Sequence, residues 1–289
     1  MVEGQEGVSW DDWVALADAC EEHGIEAMFR SDHYLSPSDP GRPATDAWTL
    51  LGALAAGTSR LRFGTLVSPI TFRLPAVVAK AAATVDHVSD GRAEVGMGLG
   101  WMEAEHERFG IPFPEPSERI AAFGRYLETV DRQLRGDPLV SQRPRPPLIV
   151  GGGGQRGTTE AAVRFADEYN TTFRVDAAEA ARRRRRLDEA CERGGRDPAT
   201  LPLSLMTPFL FDRDHARRFV DRAPNVGPAD ELYDRLAARG LAGEPSELVT
   251  SLREFESAGV TRVMLQHIVH DDLDVVVAIG REIAPALAA

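Results

Sequence analysis

Strand and helix patterns alternate along the whole 289-residue chain, and this alternation restricts the fold more than any other feature of the sequence. Residues 61–67 alternate with the period of a strand, through Leu61, Phe63, Thr65 and Val67, whereas apolar residues recur at helical spacing after Pro75. Seven such strand–helix units are clear. Repeated units of this kind form a parallel sheet with its helices packed outside.

The length of the chain then favours a closed barrel over an open sheet. A chain of this size is ordinary for one α/β barrel, and no linker divides it, so we predict a single (β/α)8 TIM-barrel domain over residues 1–289. Residues 212–245 interrupt the alternation and are predicted to be an insertion region. Only residues 1–4 precede the loop to the first helix, so strand one is either very short or truncated, with its true start upstream.

Charge and composition exclude several classes of partner. The chain has 45 acidic and 33 basic residues, a net charge of −12, which repels phosphate backbones and anionic membranes, so we expect neither as a partner. No apolar run is long enough to span a membrane or to form a signal peptide, and two distant cysteines do not make a disulfide framework. These features predict a cytoplasmic protein. His267 and His270 lack further residues at metal-ligand spacing, so we predict no metal.

A glycine run, residues 151–154, follows a predicted strand and precedes a predicted helix. Glycines let backbone amides approach an anion, and a helix N-terminus adds partial positive charge, so we predict a phosphate site. It comprises Gly151, Gly152, Gly153 and Gly154, with side-chain donors from Gln155, Arg156 and Thr158. A tight turn is the alternative, and the run also matches the G-x-G-x-x-G pattern of dinucleotide sites, which glycine-rich tracts do easily. The arginine run, residues 182–186, is interpreted as a solvated, ion-paired helix face.

Candidate catalytic residues follow the second and fourth predicted strands. Asp32 and His33 come directly after strand two, at the end of a barrel where active sites lie. His33 is the candidate proton carrier, with Asp32 either to orient its imidazole or to accept a backbone amide; a structural histidine is the alternative. Trp101, after the glycines that end strand four, is predicted to wall a pocket, and Glu103 is a candidate acid. Glu105 is a second possible acid; a solvated helix start is the alternative for both residues, and we favour it for Glu105.

Several motifs occur together in a characteristic order. They are Ser31-Asp32-His33, Gly64-Thr65-Leu66-Val67, Asp86-His87, Gly98-x-Gly100-Trp101-x-Glu103-x-Glu105 and the glycine run. In this order and spacing they resemble the luciferase-like superfamily, in particular the branch that depends on the deazaflavin coenzyme F420. The resemblance covers roughly residues 5–285.

The resemblance implies a barrel with an insertion, usually dimeric, that transfers a hydride between F420 and a small organic substrate. It places the coenzyme ring beside a non-proline cis peptide between Leu66 and Val67, the phosphate on the glycine run, and His33 in the active site. Further cofactor contacts are thereby expected from Asp32, Thr65, Leu66, Val67, Gly98 and Trp101.

Two features of the resemblance leave the chemistry open. Relatives of the sugar-phosphate dehydrogenase type carry a glutamate where this sequence has Trp101, which argues against that substrate and leaves the proton donor open. Two other interpretations of the protein also remain open. One is a reduced-flavin monooxygenase that uses FMN and oxygen, and the other is a flavin-binding relative without turnover.

Overall fold

Eight parallel strands form a barrel in the computed structural model, which describes residues 1–172 and 175–288. Each strand pairs with the next along the chain, and the last pairs with the first, which confirms the predicted (β/α)8 fold. The strands are β1 (Val2 alone), β2 (Ala27–Arg30), β3 (Arg62–Thr65, extended by Ser68–Pro69), β4 (Ala93–Gly98), β5 (Leu148–Gly151), β6 (Glu168–Thr172), β7 (Leu203–Pro208) and β8 (Val260–Gln266). The predicted sixth strand extended to residue 174, and its last two positions lie outside the described residues.

A single residue closes the barrel. Val2 pairs in parallel with Arg30 of β2 on one side and with His267, just beyond β8, on the other. The Val2 amide donates to the Phe29 carbonyl at 2.9 Å, and the His267 amide donates to the Met1 carbonyl at 2.8 Å. Of the two alternatives from the sequence, the very short first strand is therefore the one observed.

The helices surround the barrel in the order expected for repeated βα units. They are α1 (Trp10–Glu22), α2 (Ala47–Gly57), α3 (Pro75–Val88), α4 (Glu103–Phe109), α5 (Pro116–Gly136), α6 (Arg156–Phe165), α7 (Ala177–Arg193), α8 (Arg213–Arg222), α9 (Ala229–Ala237), α10 (Pro245–Ser257), α11 (Leu273–Ala278) and α12 (Ala284–Ala288), the last two joined by a π-helical turn (Ile279–Ile283). The predicted insertion contains α8 and α9. No helix within residues 1–172 and 175–288 is long and apolar enough to cross a membrane.

An ionic cluster fills the N-terminal end of the barrel interior. Alternate residues of a strand face the same side of the sheet. On the side that faces the barrel interior, Glu94 of β4 contacts arginines from β3 and β8. Arg62 Nε donates to Glu94 Oε1 at 2.6 Å, and Arg262 Nη1 donates to Glu94 Oε2 at 2.8 Å. A layer of apolar side chains lies above: Phe29, Leu66, Ile149, Met206 and Met264. With this end filled, the open end of the barrel is the C-terminal one, which we call the barrel mouth.

Candidate active site

A histidine–carboxylate pair lies at the barrel mouth. His33 follows β2, and its Nδ1 lies 2.8 Å from Oε1 of Glu105 on α4. Glu105 is only 1% exposed, and its second oxygen accepts a hydrogen bond from the Tyr34 amide at 3.1 Å. The Trp101 ring meets the imidazole edge-on, with centroids 5.4 Å apart. In the described part of the chain no hydrogen bond reaches His33 Nε2, so this is the nitrogen positioned to exchange a proton.

The carboxylate that holds His33 belongs to the less favoured of the two possible acids. Glu105 was interpreted as solvated, and that interpretation is wrong, whereas the candidate acid Glu103 is exposed. Both residues lie on α4, where two positions correspond to about 200° of rotation, so one side chain faces the barrel when the other faces solvent. Once α4 is recognised as a helix, this spacing alone separates the two acids.

The charge of Glu105 affects the protonation of His33. Burial lowers the pKa of His33, but the hydrogen bond and the charge of Glu105 raise it more, so the pKa lies above its usual value of 6.5. The stability that the ion pair adds is complete below pH 6.5 and is lost as pH rises through the folded pKa. A histidine with this pKa is suited to hold a proton near neutral pH.

Replacement of Glu105 by glutamine is therefore expected to lower the pKa of His33, because the burial that opposes the charged form remains while the charge of Glu105 is lost. An NMR titration of the imidazole measures this pKa. Glu103→Gln is the matched control, since it removes the same charge from the exposed face of the same helix and should leave the pKa unchanged. Equal pKa values in the two variants would show that Glu105 does not tune His33.

Asp32 anchors the loop and does not orient His33, contrary to the expectation from sequence. Arg73 binds both carboxylate oxygens, with Nη1 at 2.6 Å from Oδ2 and Nη2 at 3.1 Å from Oδ1. Ser68 Oγ donates to Oδ2 as well, at 2.5 Å, and itself accepts from Trp48 Nε1 at 3.1 Å. The carboxylate therefore ties the loop after β2 to the chain that follows β3, and its contact with a cofactor stays a prediction.

The peptide between Leu66 and Val67 is cis, as the resemblance implied. The Val67 side chain packs onto glycines at the ends of β4 and β5. A Cβ atom at Gly98 would lie 2.4 Å from Val67 Cγ2, and one at Gly151 would lie 2.8 Å from Cγ1. These glycines thus make room for Val67, which forms a half-buried apolar floor of the mouth.

Thr65, in contrast, is wholly buried and donates to the Gly96 carbonyl at 2.9 Å. It fixes β3 against β4 below the floor of the mouth.

A second carboxylate at the mouth was missed by the sequence analysis. Glu3 follows β1, with Oε1 accepting from Gln266 Nε2 at 2.6 Å and Oε2 from Gln5 Nε2 at 2.9 Å. Its charge also raises the pKa of His33. Strand one is too short to show a strand pattern, so the sequence did not indicate which side chains it directs into the mouth.

The glycine run folds into a closely packed turn before α6. The Gly153 amide donates to Gln155 Oε1 and the Gly154 amide to the Tyr169 hydroxyl, each at 2.9 Å. A Cβ atom at Gly152 would lie 2.5 Å from Thr158 Oγ1 and from the Tyr169 hydroxyl. Two of the predicted donors, Gln155 and Thr158, therefore shape the turn itself. Their contact with a phosphate stays a prediction.

The basic side chains beside this turn come from α7. Arg156, the predicted phosphate partner, is 83% exposed and its Nε pairs with Glu160 at 2.6 Å. By contrast, a Cβ atom at Gly154 would lie 3.8 Å from Arg183 Cγ and 4.0 Å from Arg186 Nη1. The arginine run that was interpreted only as a solvated face thus borders the glycine run.

Comparison with known proteins agrees with this architecture. The family model of luciferase-like monooxygenases matches residues 2–222, so the chain belongs to the luciferase-like monooxygenase family. A relative from Amycolatopsis mediterranei, an F420-dependent glucose-6-phosphate dehydrogenase, is 26% identical over 96% of this chain and 95% of its own.

Two solved structures share the fold. An F420-dependent secondary alcohol dehydrogenase in complex with an F420-acetone adduct superposes with a TM-score of 0.78 at 20% identity, over 96% of this chain and 94% of its own. The monooxygenase RslO1 from Streptomyces bottropensis has a TM-score of 0.77 at 21% identity, over 95% of this chain and 92% of its own. Both likenesses show that the barrel fold is shared.

Proposed function

We propose that this protein is an oxidoreductase that binds F420 at the barrel mouth and transfers a hydride between the coenzyme and a small organic substrate. The observation that carries the proposal is the His33–Glu105 pair, which lies 2.8 Å apart at the mouth of a luciferase-like barrel. The F420 dependence of full-length relatives supports the choice of coenzyme. Their sugar-phosphate substrate is not carried over, because Trp101 occupies the position of the glutamate.

The residues at the mouth fit this coenzyme. Val67 offers an apolar surface against which a flat ring packs, and the adjoining glycines carry no side chains that would block it. His33 and Glu3 follow the adjacent strands β2 and β1 and bring polar groups to the same end of the barrel. The glycine run, at the N-terminus of α6, suits the phosphate, and the side chains of Arg183 and Arg186 border the last glycine of the run.

The side chains at the barrel mouth have separate roles in the proposed reaction. When bound, F420 supplies the ring carbon that accepts or donates the hydride. His33 Nε2 takes up the substrate proton when the substrate is oxidised, and returns a proton when it is reduced. Glu105 holds Nδ1 and stabilises the charged imidazolium. The Asp32–Arg73 pair keeps the loops around His33 and Val67 in place.

The second candidate is an FMN-dependent monooxygenase, favoured by the structural likeness to RslO1. Fluorescence titration of the purified protein with each cofactor distinguishes the two. We expect F420 to bind at least about tenfold more tightly than FMN, a difference of roughly 1.4 kcal/mol. The reason is that more basic side chains lie near the glycine run than a single phosphate group requires. NAD is the control for a dinucleotide site. Tight FMN binding without F420 binding would contradict the proposal.

We also propose that the chain is one domain, acts as a homodimer and works in the cytoplasm. The barrel includes every described strand, which supports the single domain. The dimer rests on the family resemblance, and the cytoplasmic location on the composition.

A further inference from the structure

The arginine run of α7 is unevenly neutralised. Arg182 and Arg183 both pair with Glu179, and Arg184 pairs with Asp188. Within residues 1–172 and 175–288, neither Arg185 nor Arg186 contacts a carboxylate. Two positive charges of this helix are therefore left to solvent or to a ligand.

Only one of these two arginines borders the predicted phosphate site. Arg186 Nη1 would lie 4.0 Å from a Cβ atom at Gly154, the last residue of the glycine run. Arg183, three residues earlier and hence on the same helix face, packs its stem against the same glycine. Its guanidinium donates to the Thr172 carbonyl at 3.2 Å and to Thr171 Oγ1, so it is committed to the end of β6. Arg186 is exposed, and its guanidinium lies beside the last glycine of the turn.

The chemistry of the two candidate coenzymes differs at this point. FMN ends at its phosphate, whereas the phosphate of F420 continues into a lactyl and glutamyl tail with several carboxylates. A chain with a net charge of −12 repels such a tail unless basic groups lie locally along its path. A guanidinium binds carboxylates through two parallel hydrogen bonds, which an exposed arginine just beyond the phosphate turn can offer.

We propose that Arg186 forms an anion subsite that binds the carboxylate tail beyond the coenzyme phosphate and selects F420 over FMN. This inference rests on the proposed function, since it requires F420 to bind with its phosphate at the glycine run. It assigns to α7 a role in coenzyme selection.

Binding measurements on the intact protein test the subsite without any substrate. The probes are F420, FMN and the deazaflavin that ends at its ribityl chain. Arg186→Gln should raise the Kd for F420 about tenfold at low salt, while the Kd values of the two tail-less probes change little. The loss should shrink at high salt, where exposed charges are screened. Arg185→Gln is the matched control, because it removes the same charge from the same helix and, unlike Arg186, Arg185 has no atom within 4 Å of a Cβ built at Gly154.

Each result distinguishes the subsite from the proposed function. If F420 binds the parent and both variants equally, the subsite is refuted while the proposed function stands. An equal loss for F420 and FMN in Arg186→Gln would place Arg186 on the phosphate alone and refute tail recognition. If the parent binds no F420, the proposed function fails and the subsite fails with it.

Discussion

Replacement of His33 by alanine is expected to lower turnover about 10²–10⁴-fold, the usual contribution of a positioned proton carrier. The imidazole Nδ1 is held by Glu105 at 2.8 Å, which leaves Nε2 directed to exchange the proton that accompanies hydride transfer. Coenzyme affinity should change far less, because the apolar floor at Val67 and the glycine run remain. Steady-state kinetics with a substrate found by screening alcohols and carbonyl compounds, together with F420 titration, measures the two effects separately.

The choice of replacement separates proton transfer from packing. Asparagine at position 33 keeps a polar side chain near Glu105 but does not titrate near neutral pH. If His33→Asn retains turnover close to that of the parent, the imidazole only packs at the mouth and the proton passes through another group. Glu3 is then the first residue to test, since its carboxylate also lies at the mouth and is held by Gln266 and Gln5.

Local sequence patterns were sufficient to predict the fold and part of the candidate active site. The alternation of strand and helix patterns predicts the barrel, and position after a strand places His33 at the mouth. The partner of His33 was missed because it lies 72 residues away in sequence, and choosing between two acids required the start and rotation of α4. The expectation that Asp32 orients the imidazole was also wrong. Asp32 pairs with Arg73, which follows a different strand and so is not its neighbour in sequence.

The same limit applies to the anion site. Arg156 adjoins the glycine run in sequence, yet a glutamate one turn along α6 pairs with its side chain. Arg186, on the next helix of the barrel, borders Gly154. This proximity depends on how α7 packs beside β6. Neighbours in sequence were therefore a poor guide to neighbours in space wherever a loop meets a separate element.

The ionic cluster at the base of the barrel should have the largest effect on stability. Glu94→Ala removes the carboxylate that Arg62 and Arg262 share, and loss of one partner from a buried ion pair typically costs about 3–5 kcal/mol. Glu94 is only 3% exposed, and its removal would take from Arg62 the carboxylate with which it pairs, while Arg262 would keep Glu168 Oε2 at 3.3 Å. Urea denaturation of parent and variant measures the free energy of unfolding. Asp230→Ala, which breaks the exposed Arg213–Asp230 pair, is the control and should change little.

The pH dependence of this loss identifies its electrostatic origin. Burial raises the pKa of Glu94, but hydrogen bonds and charges from Arg262 and Arg62 lower it more, so the folded pKa lies below the ordinary value of 4.5. A carboxyl group with a lowered folded pKa stabilises the fold fully above about pH 4.5, and that stabilisation disappears as pH falls through the folded pKa. The difference between parent and Glu94→Ala should therefore narrow in acid. A difference that stays constant with pH would attribute the loss to the cavity left by the missing side chain, because packing does not depend on ionisation.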